Sequence, residues 1–518
     1  MKNITKYLII VAGIILGFAC VKEPTMSATE IEQRSLKAWI EKYHPELLEN
    51  YQEEGGYYVE ILDRGVQDSL PITGKDAWLW VDFTARDLQG NVCETRSWEL
   101  ALQQNTYNNH THYTPVFRFS GKDSHTLLEG SYLAIFNKLK IGDEEFEARY
   151  GTRLRLYLPS TVTSSNTGGT ADGGYEGQYE LDGDKPAIVD MIVYGHITNP
   201  VAYEGNRVDS FANINGGLCT EHKAEPKEDE SAEKSMRRRI TRADSEEGEE
   251  EVDTRPLEFY DGRWHQPIDT LAQLYVNYAY SPARNTFDYN AIGVDTLMYP
   301  GENGYDKGKI YGTSTLADID RRINEALVER FGEGISVDEV LEADSLKTKA
   351  TANVWYIGRF LDGYVFDTNI DEVREIVFGD VGEAGEALSF ETKEPLDNDY
   401  ILAWNYALPT LRLGQWATIL TVSTYAYGIS GQVGAHSSTT TGDTSAIDYA
   451  NYYNYMSYMN SMYGYGYGSM YNSGYYGYNP YYYGYNYIPS NTNTTTITTT
   501  ATEIPSYSPM IFQVFVEK

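Results

Sequence analysis

The chain has 518 residues, with 41 Lys+Arg against 75 Asp+Glu and a formal net charge of −34 at pH 7. That balance repels phosphate backbones and excludes nucleic acid as a partner. Hydrophobic residues make up 41%, enough for two or three packed domains, while 3 cysteines leave any structural zinc site in need of further ligands.

At the start, Lys2 and Lys6 frame an apolar run, Tyr7 to Phe18, that is too short for a comfortable membrane span. Gly17-Phe18-Ala19-Cys20 follows. This segment resembles the export signal of bacterial lipoproteins, in the relaxed form found in Bacteroidetes. The resemblance implies a signal over residues 1–20, lipidation of Cys20, and anchoring to the outer membrane of the cell envelope on its periplasmic or surface face. An ordinary cleavage after Ala19 is the plainer alternative.

From Thr29 to Leu48 the residues Leu36, Trp39, Ile40 and Tyr43 recur at helical spacing. Beyond Gly56 the period becomes strand-like, through Tyr57, Val59 and Ile61 to Ile188–Ile197. Residues 21–215 therefore predict a first α+β domain, with a loop at Ser164–Gly177. His110 and His112 have no carboxylate or cysteine near them in sequence and read as a solvated loop. In an oxidising compartment Cys93 and Cys219 are free to pair. Residues 216–256 form a charged linker around Met236-Arg-Arg-Arg, too poor in large apolar residues to fold. Residues 257–349 read as an extension ahead of a second domain. It holds a strand at Leu271–Tyr280 and a helix at Ser314–Phe331, with Leu316, Ile319, Ile323 and Leu327 on one stripe. The second domain spans residues 350–518 and contains a tyrosine-rich, low-complexity insertion at 429–502.

Four segments of that domain carry a pattern: Val354-Trp-Tyr-Ile-Gly358; Asp362-Gly-Tyr-Val-Phe-Asp-Thr368; Tyr400-Ile-Leu-Ala-Trp404 followed by Gly414-Gln415; and Tyr425-Ala-Tyr-Gly428. Met510-Ile-Phe-Gln-Val514 closes it after the insertion. In this order the segments resemble the FKBP-type peptidyl-prolyl cis-trans isomerases. The resemblance implies two FKBP-like domains, each a curved antiparallel sheet wrapped on a short helix. It assigns the catalytic cup to Tyr356, Phe366, Asp367, Ile401, Trp404, Tyr427 and Phe512, with Phe390, Tyr400 and Ile504 as further wall. Such a site needs no cofactor and no metal. The barrier to amide rotation is roughly 18–20 kcal/mol, and lowering it requires only that the twisted X–Pro amide be bound better than either planar form.

The first domain carries the same pattern in altered form. Val81–Thr95 aligns without gaps to Val354–Thr368, putting Phe83, Cys93 and Glu94 where the second domain has Tyr356, Phe366 and Asp367. Leu133–Asp143 matches the helix and Gly-Gln turn, and Leu156–Pro159 the next strand. The first domain thus reads as a fold of the same type without the enzyme's site. Two functions follow as expectations. One is a cell-envelope foldase acting on proline-containing exported proteins. The other is a non-catalytic surface lipoprotein that binds protein or glycan through its tyrosine-rich loop.

Overall fold

A computed structural model describes residues 27–72, 77–121, 125–163, 186–219, 259–268, 270–284, 287–289, 311–336, 339–379, 384–432, 435–442 and 493–518. The export signal with Cys20, the Ser164–Gly177 loop, most of the charged linker and the centre of the insertion lie outside them.

Helix α1 (Ala28–Tyr43) opens with a reciprocal cap, Ser27 and Glu30 each accepting from the other's backbone N–H. It stops five residues short of the expected Leu48, because Pro45 drives His44 out of helical geometry and a 3-10 turn takes over. Then come β1 (Tyr51–Gln52), β2 (Tyr57–Arg64), β3 (Ala77–Asp87), β4 (Val92–Thr95), α2 (Trp98–Gln103), β5 (Val116–Ser120) and α3 (Glu129–Phe136). A small hairpin, β6 (Leu139–Ile141) and β7 (Glu144–Phe146), leads to β8 (Thr152–Leu158), β9 (Ala187–Ile197) and α4 (Pro200–Ile214). The second half has β10 (Leu274–Asn277), α5 (Leu316–Phe331), β11 (Thr351–Phe360), β12 (Val365–Thr368), α6 (Asp371–Phe378), β13 (Leu388–Glu391), α7 (Leu402–Ala407) and β14 (Trp416–Thr421). It ends with β15 (Ala435–Gly442), β16 (Asn493–Ala501) and β17 (Met510–Val516).

Among the described residues the named strands pair antiparallel, and with the helices packed on them the chain is α+β. The first sheet runs β1-β2-β8-β9-β3-β4 with β5 also on β3; the second runs β10-β14-β17-β11-β12 with β13 also on β11. Leaving β1 aside, the two orders are the same. The correspondence extends to register. The β3–β4 hairpin breaks register between Ala85 and Arg86, and the β11–β12 hairpin between Gly358 and Arg359. Ala85 faces Val189 as Gly358 faces Phe512.

Several boundaries differ from the sequence reading. The expected strand at Leu271–Tyr280 shrinks to Leu274–Asn277, and it is an edge of the second sheet, paired with β14, rather than an extension ahead of it. Helix α4, within the range given to the first domain, packs Val208, Phe211 and Ala212 into the second core beside Trp264 and Tyr289. Each sheet is also covered on the face away from its short helix. Trp39 of α1 meets Tyr157 of β8, and Phe331 of α5 meets Trp355, Trp416 and Phe515. Among these outer contacts a buried arginine recurs at matching register in each half. Arg86 donates to Asp190 at 2.8 Å, and Arg359 donates to Gln513 at 2.9 Å and to Asp320 of α5 at 2.6 Å.

His112 is not solvated. It is buried at the junction of the halves, 2.7 Å from Asp362 and stacked on Tyr364. Its carboxylate partner lies far along the chain, where proximity in sequence gave no hint of it. His110 stacks on Phe378, and Tyr364 donates to the Asn109 carbonyl at 2.6 Å. Cys93 and Cys219 do not form a disulfide.

The Arg86–Asp190–Arg155 cluster gives a pH test. Burial pushes the Asp190 carboxyl up, but Arg86 and Arg155 more than offset this and hold it at about 2. An unfolded aspartate titrates near about 3.9, so the folded state binds fewer protons between those values. The resulting stabilisation, roughly 2–3 kcal/mol, is complete above about pH 4–5 and is lost as pH falls through about 2. Asp190→Asn should therefore cost roughly 3–5 kcal/mol at pH 7 in urea unfolding, since two buried guanidiniums lose their counter-charge. The gap to wild type should narrow as the pH approaches 2.

Candidate functional site

The second sheet brings most of the expected cup together. Tyr356 on β11 has its backbone fixed from both sides: its N–H donates to the Asn369 side chain at 2.8 Å and its carbonyl accepts from Thr368 Oγ1 at 2.6 Å. Phe366 and Asp367 arrive on β12. The Phe366 ring lies directly over Gly358, where an added Cβ would stand 2.6 Å from its edge. The hairpin therefore needs glycine there for that ring to enter the cup. Short helix α7 delivers Trp404, and Ile401 is the residue that caps it. Phe512 comes from β17, opposite Gly358.

The rings form a chain of edge contacts. Tyr356 meets Trp404 at 4.9 Å between centroids, Trp404 meets Phe512 at 5.4 Å, and Phe512 and Tyr427 each meet Phe366 at 6.0 Å. These are T-shaped arrangements, the geometry that aromatic quadrupoles favour. One polar pair sits among them: the Tyr356 hydroxyl donates to Asp367 Oδ2 at 2.7 Å. Burial pushes the Asp367 carboxyl up, and the Tyr356 bond opposes that shift. Burial and the neighbouring Asp367 charge keep the Tyr356 and Tyr427 phenols well above their usual range, so both remain proton donors at neutral pH. Trp404 Nε1 is a buried donor without a hydrogen-bond partner among the described residues.

The weaker members divide. Phe390 is fully buried and packs on Tyr400 at 5.4 Å, forming a wall pair beside α7. Ile504 belongs to the base of the insertion, where it exchanges two backbone bonds with Gln432 at 2.8 and 2.9 Å. Beyond it, β15 and β16 pair as a two-stranded ribbon rising from the chain just after Tyr427.

The matching register identifies the counterpart of each cup residue in the first half. Phe83, Cys93 and Glu94 stand where the sequence alignment put them. Ser131 occupies the position of Trp404, since α3 and α7 begin after equivalent capping residues, Leu128 and Ile401. Arg118, opposite Leu79, stands where Phe390 stands opposite Ala352. What remains is a cavity of about 30 Å³, space for little more than a water molecule. Buried Arg118 lies between the charges of Glu94 and Glu503. Glu503 comes from the second half, at the base of the insertion, and it also faces Arg96 and His112. The first cup is thus charged, nearly filled, and engaged by the second half. Arg118 and Ser131 were within reach of a longer alignment. Glu503 was not, because nothing local marks it.

The turn that carries Tyr427 is held from the first half's end of the chain. Glu204 of α4, almost wholly buried, accepts from the Ser423 N–H with one oxygen and from Ser423 Oγ at 2.9 Å with the other. Gly428 then closes the turn at φ +81°, its N–H donating to the Ser423 carbonyl at 2.8 Å.

A scan against protein-family models and a search of curated proteins each find no match. Solved structures similar to this chain are FKBP-type proteins. The three FKBP domains of wheat FKBP73 share 11% identity over 90% of this chain and 95% of that one, with a TM-score of 0.18. A peptidyl-prolyl cis-trans isomerase from Pseudomonas syringae shares 15% over 34% and 68%, with a TM-score of 0.15. The N-terminal domain of FKBP42 from Arabidopsis thaliana shares 10% over 27% and 85%, with a TM-score of 0.17.

Glu204 acts on the site through Ser423. In Glu204→Ala both acceptor oxygens are removed, and the buried Ser423 N–H and hydroxyl lose their partner. Hydrogen bonds to charged groups are worth roughly 1.5–3 kcal/mol. The amides of Ser423–Gly428 should therefore exchange with solvent roughly tenfold to a hundredfold faster, as read by hydrogen–deuterium exchange. Unchanged exchange there would separate Glu204 from the placement of Tyr427.

Proposed function

We propose that the second half is a peptidyl-prolyl cis-trans isomerase of FKBP type, acting as a foldase on proline-containing exported proteins. The observation that supports this most is the cup itself: five aromatic rings in edge contact, with the Tyr356–Asp367 pair as its polar side. An apolar cup of this kind holds the proline ring, excludes water from the amide and favours the twisted state in which resonance is broken. The Tyr427 hydroxyl, without a hydrogen-bond partner among the described residues, is the donor for a substrate carbonyl. Nothing in this chemistry calls for a nucleophile or a proton relay, so single substitutions should weaken the activity without abolishing it.

The test is the isomerisation rate of one short proline peptide. Tyr427→Phe should lower it about threefold to tenfold, the equivalent of one hydrogen bond worth roughly 0.5–1.5 kcal/mol. Asp367→Ala should cost at least as much. Wild type and the Asp367→Ala/Tyr427→Phe double variant both running at the uncatalysed rate would end the enzyme reading. A second reading, a binding protein that contacts protein or glycan through the tyrosine-rich insertion, is favoured by the ribbon stem that starts beside Tyr427. Under it, deleting residues 435–501 removes partner binding and leaves the peptide assay unchanged.

We place the protein in the bacterial cell envelope, lipid-anchored through Cys20. Among the described residues no helix is long and apolar enough to cross a membrane. Cys20→Ala should move the chain from the membrane fraction to the soluble periplasm of its native host. A variant that still sediments with membranes would remove the lipid anchor from the account.

A further inference from the structure

The polypeptide leaves α4 through Asn215-Gly-Gly-Leu-Cys219 and re-enters the described structure at residue 259. The two ends are bonded to one another. Trp264 N–H donates to the Gly217 carbonyl, and Cys219 N–H to the Trp264 carbonyl, both at 2.9 Å. On its other side His265 exchanges two backbone bonds with Val276 of β10, at 2.8 and 3.0 Å. Trp264 also anchors the region by donating its indole N–H to the Asn215 carbonyl at 2.7 Å. Three side chains converge on this pinned backbone. A ligating atom of Cys219, one of Asp261 and one of His265 all lie within 4.8 Å of one another. His265 is wholly buried, while Cys219 and Asp261 are partly open to solvent.

We propose that Cys219, Asp261 and His265 form a binding site for a thiophilic divalent cation of the zinc class, with solvent as the fourth ligand. Thiolate, imidazole and carboxylate are the donor types that Zn²⁺ takes, at about 2.0–2.3 Å in tetrahedral sites. Donors around one such ion stand roughly 3–4 Å apart by the same geometry, so the trio needs only a small adjustment. In the structure the space is closed by hydrogen bonds. His265 Nε2 lies 2.8 Å from Asp261 Oδ1, which also accepts from Arg263 N–H at 2.9 Å, and Arg263 Nε donates to Asp261 Oδ2 at 2.5 Å. The ion displaces the Arg263 side chain, which is more than a third exposed, and opens the His265–Asp261 contact. The thiol proton leaves on binding, so affinity rises with pH. Bound metal would staple both ends of the 220–258 segment to the edge of the second sheet. The cysteines alone are too few to form such a site. The fold adds an aspartate and a histidine from the far side of the linker.

The experiment is a Co²⁺ titration of the full chain after dialysis against chelator, followed by absorption. One equivalent should give a thiolate-to-cobalt charge-transfer band with the intense visible bands of four-coordinate Co²⁺, and Zn²⁺ should abolish both. Cys219→Ser should lose the charge-transfer band, Cys93→Ser should keep it, and Asp261→Asn should weaken binding at least about tenfold. Circular dichroism of each variant reports whether it is folded. Absence of the band at about millimolar Co²⁺, its survival in folded Cys219→Ser, or unchanged affinity in folded Asp261→Asn would each overturn the three-donor site.

Discussion

A carboxylate among aromatic rings is costly unless something donates to it. Asp367 is such a group, and the Tyr356 hydroxyl at 2.7 Å is its partner. Much of the second half serves that contact. Asn369 and Thr368 clamp the Tyr356 backbone, Gly358 leaves room for Phe366, and Trp404 and Phe512 complete the apolar surround. The first half has the same hairpin and the same register but a different solution. With Cys93, Ser131 and Arg118 in place of two aromatic rings and an indole, Glu94 sits in a charged and almost filled socket. One backbone plan thus supports an apolar cup in one copy and an electrostatic contact in the other.

That contact ties the halves together. Glu503, beside the insertion, faces Arg96 and Arg118 of the first half, and Glu204 of α4 holds the turn bearing Tyr427. His112–Asp362 closes the junction between them. The two chain segments that flank the insertion are therefore both fixed by charged groups elsewhere in the molecule.

What the sequence disclosed and what it hid divide by range. Val81–Thr95 and Val354–Thr368 are continuous, and a gapless alignment of the two placed Phe83, Cys93 and Glu94 correctly because a hairpin's register is set locally. That Tyr356, Trp404, Phe512 and Phe366 would lie close together was legible for the same reason: each arrives on a short motif whose strand or helix the fold then assembles. Partners brought together by tertiary packing were invisible. His112 was read as solvated because its carboxylate, Asp362, belongs to the other half, and Glu204–Ser423 likewise joins groups from distant parts of the chain. Which core an element joins was hidden for a related reason. Helix α4 follows β9 in sequence but buries Phe211 in the second core, and β10 completes a sheet whose other strands begin well beyond it. Apolar periodicity shows that an element has a face to bury, and not which core receives it.

The central claim is that the second cup, and not the first, takes the prolyl bond. NMR of a proline peptide mixed with the full chain tests it most directly, because exchange between cis and trans signals and the location of binding are read in one sample. The account predicts accelerated exchange together with a shift of the Trp404 indole N–H resonance, whose proton has no hydrogen-bond partner among the described residues. Resonances of Phe83 and Ser131 should stay in place. Peptide exchange at the free rate with Trp404 unmoved, or perturbation confined to the first half, would contradict it.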